Sequence, residues 1–202
     1  MTFQSVLTQG YFEFPNKQQN GLRNISGLLA LPNHQDSKEN KIRGIVIYFH
    51  QTIFSKKEAP SIQENIFYKA FAAIFGANNY AVLFPDYPGH GADAHHVHPY
   101  ALYPEPNVRS AIYLLNHVVD ILNAKYNNRI SKNNQLPVFS YGYSEGGAYA
   151  VFFGACNTPT LAHKYKYCVK DLKLDPAYRI AAITGSEGVY DPDGVVSDYW
   201  FE

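Results

Sequence analysis

The sequence predicts an α/β protein built on a doubly wound, mostly parallel sheet. Three observations predict it. Residues 44–49, 80–84 and 137–141 are short apolar runs, the pattern of strands buried on both faces. These runs alternate with stretches of helical periodicity, which places crossover helices between parallel strands. Polar motifs follow the carboxyl end of each run, and ligands of such sheets bind beyond those ends.

The elements follow in order. Residues 3–14 and 25–31 read as strands of an antiparallel lead-in to the sheet, and Pro32 closes the second. The polar stretch 33–41 reads as an exposed hairpin loop. After the strand at 44–49, Ser61-x-x-Glu64 has the spacing of a capping box. It opens a helix with Ile62, Ile66, Phe67, Ala70, Phe71 and Ile74 on one face, stopped by Gly76. The strand at 80–84 ends at Pro85, and a loop rich in Gly, His and Pro runs to Pro106. Residues 108–122 form a second amphipathic helix, with Ala111, Ile112, Leu115, Val118, Val119 and Leu122 inward. The strand at 137–141 and a helix at 145–156 flank Ser144. Residues 162–172 read as a looser helix and 179–184 as one more strand.

At 202 residues, 46% hydrophobic and 17% charged, the chain fits a single domain, residues 1–202. Formal net charge is zero, so no nucleic-acid footprint and no attraction to an anionic membrane is expected. No apolar run is long enough to span a bilayer, and the first residues lack the pattern of a signal peptide. The expectation is a cytoplasmic protein whose two cysteines, Cys156 and Cys168, are reduced. His95, His96 and His98 lie close together, but no carboxylate or cysteine completes a metal-ligand spacing, so neither metal nor cofactor is expected. No glycine-rich phosphate loop follows a strand, which excludes nucleotide binding.

The most informative motif is Gly142-Tyr143-Ser144-Glu145-Gly146-Gly147, set between a predicted strand and a predicted helix. Gly-x-Ser-x-Gly in that setting is the pattern of a nucleophile elbow, whose sharp turn exposes the serine and whose glycines admit neighbouring backbone. Ser144 at a helix N-terminus suits chemistry that generates an oxyanion. The plainer reading is a glycine-rich turn whose serine caps a helix.

Three segments together resemble the α/β-hydrolase superfamily: Tyr48-Phe49-His50-Gln51-Thr52, Pro85-Asp86-Tyr87-Pro88-Gly89-His90-Gly91 and the Ser144 motif. The form of that motif, with His98-Pro99-Tyr100, is most similar to the secretory-lipase and esterase-like branch. The resemblance covers residues 28–191. It implies Ser144 as nucleophile, with the backbone N–H of Gln51 or Thr52 and that of Glu145 as oxyanion-hole donors. Glycine is usual in the family where this chain has Gln51. His50 and His90 read as loop-bracing residues.

The resemblance also implies an acid and then a histidine downstream of the serine. Asp191 is the candidate acid among several, Asp171 included, and no histidine follows it. His163 lies on the wrong side of the next strand for the family's base. The family fold continues with two further strands and their helices. The expectation is therefore a C-terminally incomplete α/β-hydrolase fold: either the chain is a fragment of a longer polypeptide, or its open edge at 179–184 is covered by a partner chain or an identical chain. The implied function is hydrolysis of a small-molecule carboxylic ester. A serine peptidase of the same fold and an inactive hydrolase-like binding module remain as alternatives.

Overall fold

A computed structural model describes residues 1–14, 16–33, 41–63, 65–94, 103–162, 168–169 and 171–188. Among these residues six strands form one sheet: β1 (Thr2–Phe12), β2 (Gly21–Leu31), β3 (Gly44–Phe49), β4 (Tyr80–Pro85), β5 (Leu136–Tyr143) and β6 (Tyr178–Ser186). Their order is β1-β2-β4-β3-β5-β6. β1 pairs antiparallel with β2, and β2 antiparallel with β4, whereas β4, β3, β5 and β6 run parallel. The helices are α1 (Ile66–Gly76), α2 (Pro104–Lys125), α3 (Glu145–Cys156) and the single turn α4 (Pro159–Ala162).

Alternation along the central strands divides the core into two layers. Ile45, Ile47 and Phe49 of β3 face the cluster built by Val108, Leu115 and Val118 of α2 with Tyr149 and Phe153 of α3. Val46 and Tyr48 face the opposite cluster, with Tyr68 and Ala72 of α1. The helices thus cover both faces, as in a doubly wound sheet. All six residues expected inward on α2 are buried.

Helix α1 departs from its expected face. Its buried residues are Tyr68 and Ala72, with Phe71 and Phe75 packed on the same cluster, whereas Ile66 is 82% and Ile74 66% exposed. The segment is apolar around most of its circumference, so periodicity alone does not select a face. Tyr48 and Phe84 of the sheet select it, through a run of aromatic contacts. The cap also differs. Asn65 caps α1, its side chain accepting from the Phe67 N–H, while the Ser61 hydroxyl donates to Asp86 instead. Glu64 lies outside the described residues. A capping box does form earlier, between Ser55 and Glu58 at a short 3-10 turn.

Cys156 and Cys168 form a disulfide, which corrects the expectation of a reduced pair. The chain after α3 folds back far enough to bring their Cα atoms to 5.3 Å. The looser helix expected at 162–172 is confined to α4 among the described residues, and the loop at 34–40 lies outside them.

Among the described residues β6 pairs with β5 only. Its residues Ala181, Ala182, Ile183 and Thr184 are exposed, and Phe139 and Tyr141 of β5 are half-buried on the same region of the sheet as α1. No helix among the described residues is long and apolar enough to cross a membrane.

Candidate active site

The parallel strands bring four segments to one rim: His50 after β3, Asp86 after β4, Ser144 after β5 and Glu187 after β6. Register fixes their relation. Phe49 is opposite Gly142 and Tyr143 opposite Ser186, so Ser144 leaves the sheet between its two neighbours.

Ser144 has φ 54° and ψ −127° and stands at the N-cap of α3. A non-glycine residue at positive φ outside the compact left-handed well carries about 1–3 kcal/mol of strain. The surroundings hold it there. The Ser144 N–H donates to the Ser186 carbonyl at 2.9 Å, and the Ser144 carbonyl accepts from the Gly147 N–H at 2.8 Å. A β-carbon on Gly142 would collide with the Gly146 carbonyl, and one on Gly146 would collide with the carbonyl of Phe49. Both glycines are therefore required by close backbone approach, and the second one seats the turn directly against the loop after β3.

That loop is braced from several sides. His50 is fully buried, and its carbonyl accepts from the Tyr87 hydroxyl at 2.8 Å. The two rings stack with centroids 3.9 Å apart. His50 Nδ1 lies 2.7 Å from the Gln51 carbonyl. Burial pushes the His50 imidazole down to about 3, against the opposing pull of the Gln51 carbonyl. His90 is also lowered by burial. Thr52 Oγ1 donates to Glu145 Oε2 at 2.6 Å.

The Asp86–Gly91 loop is a second fixed wall. The buried Asp86 carboxylate accepts from the hydroxyls of Ser26 and Ser61 and from the Ser61 N–H at 3.0 Å. Burial raises its pKa, opposed by these donors. Gly91 has φ 56° and lies so close that a β-carbon there would overlap the Asp86 carboxylate.

No family model matches the chain, and no curated protein matches it in sequence. Solved structures match its fold. A candidate hydrolase from Legionella pneumophila superposes over 82% of this chain with a TM-score of 0.58 and 25% identity. The rice cell wall degrading esterase LipA from Xanthomonas oryzae superposes over 75% with a TM-score of 0.51 and 16% identity. The chain has the α/β-hydrolase fold. The carboxylesterase Cest-2923 from Lactobacillus plantarum adds a TM-score of 0.50 at 11% identity over 83% of this chain. The chain spans 40%, 37% and 52% of those three proteins, in the order given.

The structure brings Ser144, Glu145, Gln51 and Thr52 to one rim. Asp191, His163, His95, His96 and His98 lie outside the described residues. Asp171 is engaged elsewhere. Its carboxylate takes both terminal nitrogens of the buried Arg109, at 2.8 and 2.7 Å, and that contact lowers its pKa. No described histidine hydrogen-bonds Ser144. Among the described residues no cluster of His, Cys, Asp and Glu is fit to hold a metal ion.

Sequence reasoning missed three residues at the rim. Tyr149 donates its hydroxyl to Glu145 Oε1, and Asn107 Nδ2 donates to the Tyr149 hydroxyl at 2.9 Å. Tyr87 carries the His50 brace. Tyr149 was findable, because it stands four residues after Glu145 on one helix face. Asn107 and Tyr87 have no local signal; their roles arise from which strands and helices are neighbours.

Proposed function

We propose that this chain carries the nucleophilic half of a serine hydrolase acting on carboxylic esters. The observation that carries the reading is the conformation of Ser144. Positive φ at a strand-to-helix turn, crossed by Gly142 and Gly146, is the strained geometry that presents a serine for attack on a carbonyl. Ser144 Oγ attacks the acyl carbon, the alcohol leaves, and water then releases the acid from the acyl-enzyme. The developing oxyanion takes the backbone N–H of Glu145 and that of Gln51 or Thr52. The fold's known esterases support the substrate class.

A serine hydroxyl needs a base held by an acid. His50 does not suit that role, because burial holds it near pKa 3. The base therefore enters with residues beyond those described, and Asp191 is the candidate acid. Among the described residues β6 is the edge of the sheet, and further strands would join there, from the same polypeptide, a partner chain or a second copy.

The absence of a histidine on Ser144 among the described residues favours one second reading, a hydrolase-like binding module without turnover. Turnover of p-nitrophenyl esters against the matching anilides tests both. Ser144-dependent ester cleavage supports the hydrolase, and anilide cleavage at a similar rate redirects it to a peptidase. A folded, soluble chain that cleaves neither supports the binding module.

A further inference from the structure

We propose that the Glu145 side chain is a positioning residue, a tie that locks the loop after β3 onto the Ser144 turn and so sets the spacing of the two oxyanion donors. The inference rests on the reading of Ser144 as the nucleophile. Glu145 is 3% exposed, although its place at the first turn of α3 would let it reach solvent. Burying a carboxylate is unfavourable unless donors replace water. Among the described residues, donors do so from two sides. Thr52 Oγ1 donates to Oε2 at 2.6 Å, and the Tyr149 hydroxyl donates to Oε1.

The two bonds differ in what they connect. The bond from Tyr149 stays within α3 and orients the carboxylate. Behind it, Asn107 Nδ2 donates to the Tyr149 hydroxyl at 2.9 Å and to the Tyr103 carbonyl at 2.7 Å, which roots the chain of contacts in α2. The bond from Thr52 crosses 93 positions of sequence and joins the two segments that supply the oxyanion donors. Gly146 against Phe49 and Tyr87 on His50 hold the near end of the loop. Thr52–Glu145 holds its far end. It is a side-chain link from the segment that carries the Gln51 and Thr52 N–H groups to the turn that carries the Glu145 N–H. A donor misplaced by about 1 Å costs roughly 100-fold in rate, because the oxyanion exists only in the transition state.

The test uses the whole chain with a fluorescent alkylphosphonate, reading the maximal labelling rate and half-saturating concentration separately, alongside backbone NMR order parameters at residues 51–53. Thr52→Val and Glu145→Met remove the tie; Thr52→Ser and Glu145→Gln restore it. Thr52→Val is expected to lower the maximal rate about 100-fold with little change in half-saturation. Order parameters fall from about 0.85 to below about 0.6. Serine at 52 and glutamine at 145 are expected to recover most of both. A Thr52→Val protein with wild-type labelling overturns the proposal, whether or not its loop has loosened. If the wild-type chain does not label at all, the reading of Ser144 fails. The tie is then decided by the order parameters alone: a loop that stays rigid in Thr52→Val refutes it, and one that loosens only in Thr52→Val and Glu145→Met upholds it.

Discussion

Gly142 and Gly146 are packed backbone to backbone across the Ser144 turn, so that a β-carbon on the first would overlap the carbonyl of the second. Gly146 in turn lies against the carbonyls of Phe49 and His50. The turn and the loop after β3 are therefore one packed unit, and neither can shift without the other. The contacted atoms are backbone, which cannot rotate away. Gly142→Ala and Gly146→Ala are each expected to cost about 3 kcal/mol, as overpacking of a rigid interior does. Thermal unfolding should show a Tm lower by roughly 6–12 °C. An unchanged Tm would mean that the turn is looser than described.

The strain at Ser144 has its own signature. At an ordinary N-cap glycine is a few tenths of a kcal/mol less stable than serine, but at φ 54° outside the left-handed well only glycine is relaxed. Ser144→Gly should therefore unfold at a higher temperature than the wild type, by about 1 kcal/mol in stability. The reverse order would show that the backbone there is not held at positive φ.

Burial of His50 ties stability to pH. Its folded pKa is about 3 against 6.5 for the free side chain, so the unfolded chain takes up a proton that the folded chain excludes. Its contribution is complete above about pH 6.5 and is lost as pH falls from there toward 3. His90, lowered by burial as well, acts in the same sense. The urea midpoint is expected to fall on going from about pH 7 to about pH 4. His50→Phe, which keeps a ring against Tyr87, should flatten that fall, and an equally steep profile in the variant would assign the pH dependence elsewhere.

The Cys156–Cys168 bond closes a short loop at the end of α3. Closing a loop of about that length stabilises by roughly 3 kcal/mol in the chain-entropy account. Thiol titration of the denatured, unreduced chain should find no free cysteine, and reduction should lower the urea midpoint. Two titratable thiols in the protein as isolated would contradict the pairing.

Much of the architecture was readable because it rests on local signals. Ile45-Val46-Ile47-Tyr48-Phe49 has one interpretation at that length, and the apolar stripe of α2 points one way. Helix α1 was misread because its sequence is apolar on nearly every side, and only the sheet's aromatic surface chooses among them. Asn65 displaced Ser61 as its cap because Ser61 is held by Asp86, a contact between residues 25 positions apart. At the site, the position of Ser144 followed from its own motif. Thr52 meets Glu145, and Asn107 meets Tyr149, only through the order of strands and helices, which no local pattern encodes.

The central claim is that Ser144 is a nucleophile beside preorganised oxyanion donors, and covalent labelling tests it most directly. Purified chain is treated with an alkylphosphonate serine probe, and the adduct is located by peptide mass spectrometry with Ser144→Ala as control. The account predicts one adduct, on Ser144, absent from the variant. Where no base reaches Ser144, the donors alone still leave a residual acceleration on the order of 10³ over water, so an adduct forms slowly. A folded wild-type chain with no adduct, or an adduct equally abundant in Ser144→Ala, would contradict it.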